Sequence, residues 1–151
     1  MADSKPPSNI KPPSWPHNDW IGPVDKRSNL RKIHFAEPLE ETEREAAYRK
    51  MRQETYEWNH QFWARQNQNF IQVKEEFVED TFAKKGMNAT DNEGAKQNLS
   101  TEEMAEFYRN FLHDNRQILK EYNREWYRRN FGLLWPALRV TIDKVLRKLI
   151  R

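Results

Sequence analysis

The chain has 151 residues, enough for one domain with tails, and 36% hydrophobic against 32% charged residues leaves material for only a thin core. Six Trp, eight Phe and five Tyr supply most of that material, and the absence of Cys excludes disulfides, thiolate catalysis and Cys-bound metals. The net charge of +3 is unevenly spread: Lys120 to Arg151 holds nine basic and three acidic residues, and the rest holds 17 basic and 20 acidic.

Residues 1–19 contain Pro6, Pro7, Pro12, Pro13 and Pro16 among Ser, Asn and Lys, the composition of a disordered leader. They lack an apolar signal-peptide core and an Arg-rich amphipathic helix, so this stretch alone carries no address. Residues 20–38 have neither helical nor strand periodicity. Scarce Gly and the lack of β-branched runs argue against strands. The expectation is an extended segment, with turn signals at Gly22-Pro23 and Ser28-Asn29 and apolar anchors at Trp20, Ile21, Leu30, Ile33 and Phe35.

A long helix is predicted over 39–83. Glu40, Glu41, Glu43 and Glu45 suit its positive N-terminus. Tyr48, Met51, Trp58, Phe62, Phe70, Val73 and Phe77 follow near helical spacing, with a longer step across Arg65 to Asn69 where the stripe drifts or the helix bends. Residues 84–100 read as a loop. Ser100-Thr-Glu-Glu103 is a capping box, and Leu99 with Met104 fits a hydrophobic staple opening a second helix over 101–131. Gly132 should interrupt, and Pro136 is tolerable in the first turn of a new helix over 133–151. The fold class is therefore all-α. It reads as a single helical domain over 20–151, a long antiparallel hairpin with an extended N-terminal segment and a C-terminal amphipathic helix.

On that last helix Leu134, Trp135, Leu138, Ile142, Val145, Leu146 and Leu149 fall within an arc of roughly 120°. Arg139, Lys144, Arg147, Lys148 and Arg151 lie on the opposite half, while Val140 and Ile150 break the pattern. Two readings stand: the apolar arc packs on the hairpin, or it lies in a membrane interface with cations toward anionic lipid. No run of about 18 apolar residues exists that could span a bilayer.

Nothing points to catalysis. His17, His34, His60 and His113 have no metal-ligand spacing on one helix face, and no HExxH, Gly-x-Ser-x-Gly, P-loop or GxGxxG occurs. Glu75, Glu76, Glu79 and Asp80 lack the Glu-x-x-His partner of a helical di-metal site. Two alternatives remain. One is haem held between His60 and His113. The other is single-stranded nucleic acid stacked on the cation-aromatic stretch Tyr122 to Phe131. The expectation is no enzyme, no cofactor, no metal and no nucleic acid. Trp20, Trp58, Phe62, Trp63 and Trp126 serve as structural anchors. Arg124, Arg128, Arg129, Arg139, Lys144, Arg147, Lys148 and Trp135 are the candidate partner or membrane contacts.

Three stretches are distinctive. The first holds Asp19-Trp-Ile-Gly-Pro23, Asp25-Lys26, Ser28-Asn-Leu-Arg31 and His34-Phe35. The second holds Arg52-Gln-Glu-Thr55, Glu57-Trp-Asn59, Gln61-Phe-Trp63 and Lys74-Glu-Glu-Phe77. The third holds Glu102-Glu-Met-Ala105, Phe107-Tyr108, Tyr122-Asn-Arg124, Trp126-Tyr127 and Arg129-Asn-Phe131. In this order, over residues 18–131, the chain resembles the cytochrome c oxidase assembly factor 8 family, also called apoptogenic protein 1, with His60 where the pattern has Gln. The resemblance implies a non-catalytic mitochondrial assembly factor, peripheral on the matrix side of the inner membrane. It further implies contact with cytochrome c oxidase subunits or assembly intermediates, support of complex IV assembly, and its protection under oxidative stress. It also implies a presequence, so the expectation is a processed form or another import signal. A Cys-free chain fits the reducing matrix.

Overall fold

The computed structural model describes residues 18–86 and 99–150, and the leader expected over 1–19 lies almost wholly outside them. Five elements follow in chain order: β1 (Trp20–Val24), β2 (Arg31–His34), α1 (Glu43–Lys84), α2 (Thr101–Asp114) and α3 (Arg116–Ile150). The described residues are mostly helical with one small antiparallel sheet, which corrects the strand-free expectation. The elements belong to two compact units. One combines the chain up to Ala64 with Trp126 onward, and the other is Arg65–Glu125.

In the first unit, β1 and β2 pair Trp20 with His34, Ile21 with Ile33 and Val24 with Arg31, with an irregularity between Ile21 and Val24. Gly22-Pro23, expected as a turn, sits inside β1 at that irregularity, where Pro23 has no N–H to donate. Gly22 is required by a close approach, since a Cβ there would lie 2.4 Å from the Trp20 ring. The real turn is built by Asp25. Its Oδ1 accepts the backbone N–H groups of Arg27 and Ser28, both at 3.0 Å, and Asn29 takes φ 58°, which Asn tolerates.

The hairpin is fastened to α1 mainly by polar groups. Tyr56 Oη accepts from Ile33 N at 2.9 Å and lies 3.2 Å from the Arg31 carbonyl. His60 Nδ1 lies 2.9 Å from the hydroxyl of Ser28, which is 2% exposed, and its Nε2 lies 3.2 Å from the Arg31 carbonyl. Arg52 stacks over Phe35 at 4.3 Å and pairs with Asp19. Of the expected apolar anchors, Ile21 is exposed, whereas Trp20, Leu30, Ile33 and Phe35 are half-buried.

The second unit has a small aromatic core. Phe107 of α2 meets Phe70 and Phe77 of α1 at ring distances of 5.6 and 5.3 Å, and Phe111 meets Phe70 edge-on at 5.1 Å. Phe82 and Phe107 are buried. α1 ends in a left-handed turn at Gly86 (φ 65°). α2 opens with the expected capping box, Ser100 Oγ accepting from Glu103 N and the Glu103 carboxylate accepting from Ser100 N. Lys85 Nζ joins Glu103 at 2.6 Å.

The predicted break at Gly132 is absent, and the break falls at Asn115 instead. Asn115 ends α2 by donating from Nδ2 to the Phe111 carbonyl at 2.9 Å, and its own carbonyl accepts from Leu119 N at 3.0 Å to start α3. Gln66 donates to its Oδ1 at 3.0 Å, so this buried amide is satisfied. α3 then runs unbroken through Gly132 and Pro136.

Candidate functional site

The N-terminus of α1 carries a second capping box, Thr42-x-x-Glu45, within its acidic run. Thr42 N donates to Glu45 Oε2 at 2.9 Å, the Thr42 hydroxyl donates to the same oxygen at 2.7 Å, and Glu45 N donates back to Thr42 Oγ1 at 3.3 Å. Glu45 is buried, and its other oxygen faces α3, with Arg147 Nη2 at 2.7 Å and Lys144 Nζ at 3.5 Å. The Thr42 N–H and hydroxyl, then Arg147, hold its carboxyl down at about 2, well below the ordinary 4.5. Next to it Arg44 Nη1 reaches Asp143 Oδ2 at 3.0 Å. Val140, 7% exposed, lies on the same side of α3. Glu45, Tyr48, Arg52, Val140 and Lys144 help line an open groove of about 420 Å³.

This arrangement fixes the rotation of α3. At 3.6 residues per turn, Leu133, Pro136, Ala137, Val140, Asp143, Lys144 and Arg147 share one side, and each of them but Lys144 and Arg147 is buried or half-buried. The apolar arc read from the sequence lies on the other side and is exposed throughout. Trp135 is 60% and Leu149 76% exposed, with Leu134, Leu138, Ile142, Val145 and Leu146 between them. Val140, which broke the sequence pattern, is the residue turned inward. Tyr127 and Phe131 extend the exposed stripe toward the N-terminus of the helix, their rings stacked at 6.1 Å.

The candidate cations therefore separate. Lys144 and Arg147 are engaged by Glu45, and Arg129 lies 4.9 Å over the Trp58 ring, so these three serve the fold. Arg139 sits over Trp135 at 5.0 Å on the flank of the stripe, and Lys148 is exposed on the other flank. Arg128 is also exposed, and the exposed Arg124 belongs to the other unit. Among the anchors, Trp20, Trp58, Phe62 and Trp63 are half-buried and Trp126 is partly exposed. Asn130 donates from Nδ2 to the Trp126 carbonyl of its own helix at 2.7 Å.

The haem reading loses ground to geometry. His60 has both ring nitrogens within hydrogen-bond distance of the hairpin, so an axial haem bond would displace one of those contacts. Among the described residues no group of three His, Asp or Glu is placed to hold a metal ion. No described helix is long and apolar enough to cross a membrane.

The family profile of Cytochrome c oxidase assembly factor 8 matches residues 18–146. The chain belongs to this family. It is 47% identical over 142 residues to Cytochrome c oxidase assembly factor 8 of Bos taurus, covering 94% of this chain and 74% of that one. The Homo sapiens protein of the same name is 46% identical, with 94% and 69% covered. A Caenorhabditis briggsae protein named as a mitochondrial member of the family is 43% identical over 129 residues, 85% of each chain. No solved structure matches. The match to the assembly factor 8 family takes in the β hairpin, Glu45 with Thr42 and Lys144, and α3 as far as Leu146, and Arg147 is the next residue.

Proposed function

We propose that this chain supports the assembly of cytochrome c oxidase in the mitochondrion without catalysing a reaction. The observation that carries this is family membership across residues 18–146, with relatives named as assembly factors for that enzyme and others named as mitochondrial. The finer reading is a helical protein working on the matrix side of the inner membrane, attached peripherally, protecting the oxidase under oxidative stress and contacting its subunits or intermediates. An exposed apolar stripe beside a set of cations supports attachment, and paired internal charges support a scaffold rather than a reaction centre.

The test is removal of the protein from cells, followed by native-gel analysis of the oxidase with and without peroxide. Reduced fully assembled oxidase, restored by re-expression and worsened by peroxide, is the expected result. Normal oxidase levels in the deficient cells under both conditions overturn the proposal.

A further inference from the structure

The exposed side of α3 has a composition that selects among possible occupants. From Trp126 to Ile150 the helix carries six basic residues and one acidic residue. That acid, Asp143, is turned inward to Arg44. The stripe from Tyr127 through Phe131, Leu134, Trp135, Leu138, Ile142, Val145 and Leu146 to Leu149 is therefore free of acids and runs about 33 Å at 1.5 Å per residue. Arg139 borders it on one side and Lys148 on the other. A second copy seated on the stripe would bring two such cationic borders together with no acid to meet them, which opposes pairing. An apolar strip edged by cations and an aromatic pair of the Tyr and Trp type suits a surface that is apolar below and anionic above.

We infer that this stripe is the surface that lies in the interface of an anionic bilayer, with the Glu45–Arg147 side of the helix facing away from lipid. The inference rests on the peripheral attachment within the proposed function and adds which face makes it. It removes Lys144, Arg147 and Arg129 from the lipid contact, because Glu45 and Trp58 already engage them. Arg139 and Lys148 supply the attraction to lipid headgroups, and the apolar side chains supply the insertion.

The absence of native Cys makes single spin labels straightforward. Full-length Leu134→Cys, Leu138→Cys, Val145→Cys and Leu149→Cys variants, with Leu133→Cys and Ala137→Cys on the inward side as references, are mixed with phosphatidylcholine–phosphatidylglycerol vesicles and with phosphatidylcholine vesicles. Expected are binding to the anionic vesicles, weakened by salt, and high oxygen accessibility at the four stripe positions but not at the references. The double variant Leu138→Glu with Ile142→Glu, both at exposed sites, should keep its helical circular dichroism and bind at least about tenfold more weakly. Binding with the labels' accessibility reversed overturns the face assignment while leaving attachment intact. No binding to anionic vesicles overturns the inference, and the complex IV test in cells decides separately whether the assembly role fails with it. Spin–spin broadening with a doubled mass in the absence of vesicles assigns the stripe to a second copy and overturns it too.

Discussion

Arg147 Nη2 lies 2.7 Å from Glu45 Oε1, joining residues 102 positions apart, and the same carboxylate caps α1 through Thr42. One side chain thus starts a helix and sets the rotation of another. The folded pKa of Glu45, about 2, is depressed below its ordinary 4.5. Its stabilising contribution is therefore complete above about pH 4.5 and is lost as pH falls toward 2. Glu45→Gln preserves a capping-box geometry but removes the charge, so it should cost about 1 kcal/mol at neutral pH. Urea denaturation of both proteins at pH 7, 4 and 3 checks this: the gap between them should shrink as pH falls. A gap that stays constant would mean the charge contributes nothing.

His60 makes its two hydrogen bonds with opposite ring edges, to Ser28 and to the Arg31 carbonyl. Gln can present both an acceptor and a donor from one amide, so His60→Gln should leave stability within about 0.5 kcal/mol. His60→Leu should cost about 1–2 kcal/mol by leaving the part-buried Ser28 hydroxyl and the carbonyl without that partner. Amide hydrogen exchange of residues 28–34 reads the result, with faster exchange expected only for the Leu variant.

Phe107 is 3% exposed and its ring touches those of Phe70, Phe77, Tyr108 and Phe111. In so thin a core, few neighbours can move in to fill a void. Phe107→Ala should cost about 3–5 kcal/mol, and Phe107→Leu much less. Equilibrium unfolding that ranks the two variants equally would argue that the unit repacks freely around this position.

The helices were legible wherever a local rule sufficed. The Ser100 box announced α2, and the gap in the α1 stripe begins at Arg65, where the chain passes from one compact unit to the other. The Thr42 box is equally local, and the run of Glu40, Glu41, Glu43 and Glu45 masks which carboxylate closes it. The β hairpin escaped because its strands are four and five residues long and Pro23 interrupts their pairing, leaving too few alternating positions to register. The orientation of α3 escaped for another reason. The spacing of the seven apolar residues allows the arc either to pack or to lie in a membrane interface and cannot choose between them, whereas Glu45 recruits Arg147 and Lys144, and those contacts carry Val140 inward. Ion pairs between residues about a hundred positions apart have no periodic trace.

Gly132 is expected to divide the C-terminal helices, and its spacing from Pro136 explains why α3 runs on through both. A helical Pro lacks the N–H that would bond the carbonyl four residues earlier, and its ring crowds that same carbonyl. Here that carbonyl belongs to Gly132, which is exposed, so water can take the place of the missing donor. A Cβ at Gly132 would meet nothing within 4 Å, and its φ is not in the left-handed region. Gly132 therefore contributes no close approach, and it adds conformational freedom to the unfolded chain. Gly132→Ala should stabilise the protein by about 0.5–1 kcal/mol, raising the thermal midpoint by a few degrees. Pro136→Ala should add to it, since it restores the hydrogen bond to residue 132. If Gly132→Ala instead lowers the midpoint while Pro136→Ala raises it, Gly132 is needed to relieve the proline ring, and helix continuity depends on the pair acting together.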